Sequence, residues 1–88
     1  MLPICSEIAL FAFDVIPENW VHCDGRIMAV NDNIILFSVL GTNFGGDGEN
    51  TFGIPDLTDR EPKGMKYCIA TKGMYPSRSE DYTEQGSK

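Results

Sequence analysis

The residues with the most chemical potential in this 88-residue chain share one loop, GTNFGGDGENTFGIPDL, residues 41–57. Asn43, Asp47, Glu49, Asn50 and Asp56 stand there among Gly45, Gly46 and Gly48. Asp47, Glu49, Asn50 and Asp56 could supply oxygen ligands to calcium, and the glycine backbone could cradle a phosphate. Neither template fits. An EF-hand alternates its acids at fixed odd positions, and the glycines match neither phosphate-loop spacing, with no Lys-Ser or Lys-Thr pair following. Turn formation explains the same residues more simply, with Asp and Asn side chains accepting from nearby backbone N–H groups. No metal and no cofactor is expected.

The other reactive side chains are few. His22 has no second His and no Cys at ligand spacing, so it reads as a structural histidine in a strand. Cys5, Cys23 and Cys68 permit at most one intramolecular disulfide and read as small buried hydrophobes. Catalysis needs a nucleophile with its base, or paired carboxylates in a cleft. One His and scattered acids supply neither, and the chain is not expected to be an enzyme.

Composition narrows the partners. The formal net charge of -6, with seven scattered Lys and Arg, argues against nucleic acid, because phosphate binding needs clustered cations. No stretch approaches the roughly 20 apolar residues of a membrane span, and the apolar start lacks the basic n-region and cleavage site of a signal peptide. The chain is expected to be made in a cytoplasm. Its length allows one domain of marginal stability alone, and nine glycines and five prolines imply many turns. The expected class is α+β: a small, mostly β, loop-rich domain with one short buried helix.

The elements that position the loop follow from Asn31 to Arg60. Asn31 and Asp32 are N-cap types ahead of an apolar run from Ile34 to Leu40, and Gly41 stands where a left-handed residue would stop the helix. Apolar residues occupy nearly all sides, so the helix is expected to be covered all round. Pro55 then forces an extended exit from the loop. Glu7 to Phe13 reads as a strand with two apolar faces, either sandwiched inside its own domain or with one face pressed on another subunit. Trp20 is expected to anchor the core. Asp24-Gly25 is a strong hairpin signal between strands at Trp20 to Cys23 and Arg26 to Ala29. Met65 to Ala70 reads as a last strand. Residues 79–88 form a polar tail after a domain over 1–78, expected to be mobile without a partner.

Taken in order, Glu7-Ile8, Pro17-x-x-Trp20, Cys23-Asp24-Gly25, Leu36 to Thr42, Gly45-Gly46-Asp47-Gly48, Thr51-Phe52 and Pro55-Asp56-Leu57 resemble the phage tail collar domain family. The resemblance covers about residues 4 to 78. That family includes a domain of short tail fibres and small proteins of the microcystin-dependent type. Asn19 replaces the usual Gly before the tryptophan, a substitution compatible with positive φ. Thr58-Asp59-Arg60-Glu61-Pro62 departs from the family's usual loop, of which only Arg60 and Pro62 match.

The resemblance implies a structural component of a phage tail, tail fibre or phage-like particle, found in the virion after synthesis in the host bacterial cytoplasm. It also implies a homo-oligomer, with a trimer favoured, and contacts with other tail or fibre proteins. Ile8, Leu10, Phe11 and Phe13 are the candidate interface. The structural motif residues are Trp20, Asp24, Gly25, Gly45, Gly46, Gly48, Pro55 and Asp56. The alternative is a receptor-binding module at a fibre tip, with Asn43, Asp47, Glu49 and Asn50 touching a cell-surface glycan.

Overall fold

The computed structural model describes residues 3–12 and 16–76. The described residues form two small antiparallel sheets and one α-helix. Strands β1 (Ile8–Phe11), β2 (Trp20–His22) and β5 (Lys66–Ala70) form one sheet in the order β1-β5-β2, while β3 (Ile27–Ala29) and β4 (Thr51–Gly53) form the other. Helix α1 (Ile34–Leu40) lies between β3 and β4 in the chain, and a 3-10 turn spans Thr58–Arg60. The expected strands at both ends are present, each shorter than its sequence signal. Phe13 and the tail 79–88 lie outside the described residues.

The register sorts the larger sheet into two faces. Ile8 and Val21 both pair with Ile69, and Leu10 pairs with Tyr67, so these side chains share one face. That face looks into the core, where Ile69 packs with Cys5, Cys23, Leu36, Phe52 and Ile54. Phe11, Trp20, His22, Cys68 and Ala70 take the other face. Trp20 is therefore not the core anchor expected of it. It is half-buried and meets Phe11 edge-on, ring centroids 5.1 Å apart at 79°, sheltering the outer side of β5, whose Cys68 and Ala70 are fully buried.

The hairpin expected at Asp24-Gly25 does not form, because β2 and β3 belong to different sheets. Three-residue strands joined locally would bury little, whereas pairing with β5 and β4 buries Ile69 and Phe52. Gly25, at φ 81°, still turns the chain, and a Cβ there would lie 3.1 Å from that of Asp56. Asp24 directs the turn, its carboxylate accepting from the Arg26 backbone N–H at 3.1 Å and the guanidinium at 3.0 and 2.9 Å. An isolated bridge then ties Asp24 to Asp56.

Helix α1 differs from expectation at its start and in its cover. Asn33, not Asn31 or Asp32, is the N-cap, and it makes no side-chain cap bond. Its amide instead donates to the Ala29 carbonyl at 3.0 Å. Gly41 ends the helix as expected, at φ 59° with its N–H on the Phe37 carbonyl at 2.7 Å. Only Leu36 of the helix is fully buried. Ile34 and Ile35 are 62% and 46% exposed, so the described residues do not cover the helix all round.

Candidate functional site

The glycine loop is a shaped platform held by its own acid. Asp47 Oδ1 accepts backbone N–H groups from Glu49 at 2.8 Å, Asn50 at 2.8 Å and Thr51 at 2.9 Å. These three bonds, that from Thr51 foremost, hold the carboxyl down at about 2. The loop then folds back on β4, with the Gly48 N–H on the Thr51 carbonyl and the Gly53 N–H on the Gly45 carbonyl, both at 2.9 Å. Asn43 is also engaged, its amide donating to the Leu40 carbonyl at 3.0 Å. The side chains of Glu49 and Asn50 face solvent.

A pH test follows from Asp47. Its folded value lies below the ordinary 3.8, so the ionised form favours the folded loop. This contribution is complete above about pH 4 and fades as the pH falls toward 2. Asp47→Asn is expected to lessen that pH dependence while keeping an acceptor, read as a smaller fall in denaturation midpoint between pH 4 and 2.5 than in the parent or in a Glu49→Gln control, the remaining fall belonging to Asp24, Asp56 and Glu61. An unchanged slope in Asp47→Asn would contradict the assignment.

Other acids serve as staples too. Asp56 accepts from the Thr58 hydroxyl at 2.7 Å and its backbone N–H at 3.1 Å, bonds that lower its carboxyl. His22 meets Glu61 at 2.7 Å, and the same Glu61 oxygen accepts from the Tyr67 N–H at 3.0 Å. Burial alone would raise the Glu61 carboxyl, but these two partners hold it below its usual range. No feature of the sequence announced this contact, which joins residues 39 positions apart. Cys5, Cys23 and Cys68 are free and fully buried. Burial and the neighbouring Cys68 push the Cys23 thiol up to about 11, which leaves it unreactive at neutral pH. Among the described residues, no group of three or more His, Cys, Asp or Glu could hold a metal ion.

The second surface is apolar. Ile8 and Leu10, on the edge strand β1, are 41% and 37% exposed. Phe11, between them and Trp20 in function as a cover, is only half-buried. Ile4 and Met74, joined by an isolated parallel bridge, are exposed as well, as are Ile34 and Ile35. The candidate interface read from the sequence thus includes two open residues on the core-side edge and one on the outer face. Ile4, Ile34, Ile35 and Met74 were not among the candidates. The all-round apolarity of α1 was the signal for two of them.

Comparison with known families places this architecture. The model of the phage tail collar domain matches residues 6–62, more than half of the chain. The chain belongs to the phage tail collar domain family. This membership makes it a structural component of a phage tail or tail fibre, associated with other tail components. No curated protein and no solved structure matches the chain. The collar match begins just before β1 and ends at Pro62, taking in the glycine loop and the Pro55-Asp56 exit. Strand β5 lies beyond it, although β5 is the strand on which β1 and β2 both pair. Asn19, in the family's glycine position, adopts φ 70°.

Proposed function

We propose that this collar domain is a non-catalytic part that caps or attaches a tail fibre as a homo-oligomer, a trimer being favoured by the family resemblance. The observation that carries the proposal is the open apolar surface. Ile8 and Leu10 on β1 and Ile34 and Ile35 on α1 are large side chains left in water by a chain with a small core. Isolated apolar side chains are common on surfaces, but two pairs of large ones, one on an edge strand and one on the helix, are a reason to look for contact sites there. The edge position of β1 supports the same reading, since IALF carries neither the charge nor the proline that ordinarily protects a sheet edge.

The structure also selects the variants that test it. Phe11 packs on Trp20 within the chain, so its replacement would disturb folding as well as assembly. Leu10→Asp and Ile35→Asp alter side chains that are already exposed. Each is expected to convert the oligomer to monomer in sedimentation velocity while keeping the far-ultraviolet circular dichroism of the parent. An unchanged sedimentation coefficient in both variants would refute this interface.

A further inference from the structure

The two sheets formed by the described residues have four edges, and hydrogen bonds within the chain occupy two of them. In an antiparallel pair, backbone groups alternate between facing the partner strand and facing away from it. On β4 the outward groups are already bonded. The Gly53 N–H donates to the Gly45 carbonyl, and the Thr51 carbonyl accepts from the Gly48 N–H, both at 2.9 Å. On β2 the outward residues are Trp20 and His22, since the Cys23 N–H bonds inward to the Tyr67 carbonyl at 2.9 Å. The Trp20 N–H donates to the Pro17 carbonyl at 3.2 Å, and the His22 carbonyl accepts from the Asp24 N–H at 2.9 Å. Neither residue can therefore exchange a full pair of bonds with another strand.

The edges of β1 and β3 are open. The Ala70 N–H donates to the Glu7 carbonyl at 2.9 Å, so the alternation turns Ala9 and Phe11 toward β5 and points the backbone groups of Ile8 and Leu10 outward. The Ile54 N–H donates to the Arg26 carbonyl at 3.2 Å and the Val30 N–H to the Asn50 carbonyl at 2.9 Å. Met28 thus faces β4, and Ile27 and Ala29 face outward. Among the described residues, the one group that meets these outward positions is the Asn33 amide, on the Ala29 carbonyl at 3.0 Å. A carbonyl has a second lone pair to offer.

We propose that β1 of one copy pairs antiparallel with β3 of the next, Leu10 opposite Ile27 and Ile8 opposite Ala29, so that one sheet runs across the subunit boundary. The inference rests on the homo-oligomer reading above and names the two strands that meet. In this register every outward N–H of one edge finds an outward carbonyl of the other. A parallel register of the same residues leaves some of them unpaired.

Symmetry favours the unlike pairing. Strand β1 against a second β1 relates two copies by a twofold axis and stops there, whereas two different edges meet head to tail and can close a ring. A trimer needs the second arrangement. The side chains agree with it, because paired residues project from the same face. Leu10 would cover Ile27, which is 55% exposed. The flanking pairs, Ala9 with Met28 and Phe11 with Arg26, set no like charges opposite one another. Neither strand carries the charge or proline that ordinarily protects an edge.

Cysteine pairs test the register. Hydrogen-bonded partners stand about 5.5 Å apart at Cα, a separation that a disulfide spans, and the native Cys5, Cys23 and Cys68 are fully buried. The double variant Leu10→Cys/Ile27→Cys, oxidised with copper phenanthroline, is expected to run as a covalent trimer on a non-reducing gel. Ile8→Cys/Ala29→Cys is an independent second pair with the same expected result, and each single variant should remain uncrosslinked. A trimer in native mass spectrometry that neither double variant captures would overturn the edge pairing and leave the homo-oligomer reading standing. So would a covalent dimer from Leu10→Cys alone, the mark of β1 against β1. A parent chain that is monomeric would overturn both.

Discussion

Gly46→Ala is expected to cost at least about 3 kcal/mol. Gly46 has φ 90°, a region that strains any L side chain by roughly 1 to 3 kcal/mol. A Cβ there would also lie 2.2 Å from Phe52 Cα and 2.6 Å from the Thr51 carbonyl oxygen. Both are backbone atoms of β4, so relief requires moving the loop off the strand. Gly64→Ala is the comparison, since Gly64 has φ 80° but no atom within 4 Å of its Cβ position. It should show the backbone strain alone. Urea denaturation of the two variants measures the difference, and equal losses would mean that the loop does not press on β4 as described.

Phe52→Ala is expected to cost about 3 to 5 kcal/mol, the usual range for deleting a buried Phe. Phe52 is the largest fully buried side chain. Its ring packs on Phe37 of α1, centroids 5.4 Å apart, and its backbone pairs with Met28. One side chain thus joins the helix to the smaller sheet. In a domain whose whole stability is on the order of 5 to 15 kcal/mol, that loss should remove the unfolding transition or shift it by several molar urea. A loss below about 1 kcal/mol would show that the ring is not enclosed.

Local features of this fold were legible in the sequence, and long-range ones were not. Gly41 stopped the helix and Asp47 turned its loop, because both act through backbone groups within four residues. The alternating EIALFAF and MKYCIA segments were readable as strands for the same local reason. The Asp24-Gly25 hairpin misled because turn chemistry fixes a change of direction, not which strand lies on either side of it. Here β2 pairs with a strand more than 40 residues later. Trp20 was misplaced because its area, which suits a core, equally suits the outer cover of β5.

Cover of the helix failed for a different reason. The apolar pattern of Ile34 to Leu40 predicted burial on nearly all sides, and only Leu36 is fully buried; a pattern cannot say whether the burying surface belongs to the same chain. Ile34 and Ile35 are open here, and Ile8 and Leu10 with them. The part of the candidate site that sequence reasoning located, Ile8, Leu10 and Phe11, sits on an edge strand.

The central claim is that the surface left open on one collar domain is closed by further copies of it. Native mass spectrometry of the purified chain across a dilution series tests this most directly. The account predicts a trimer that persists to low concentration. A monomer at every concentration would contradict it.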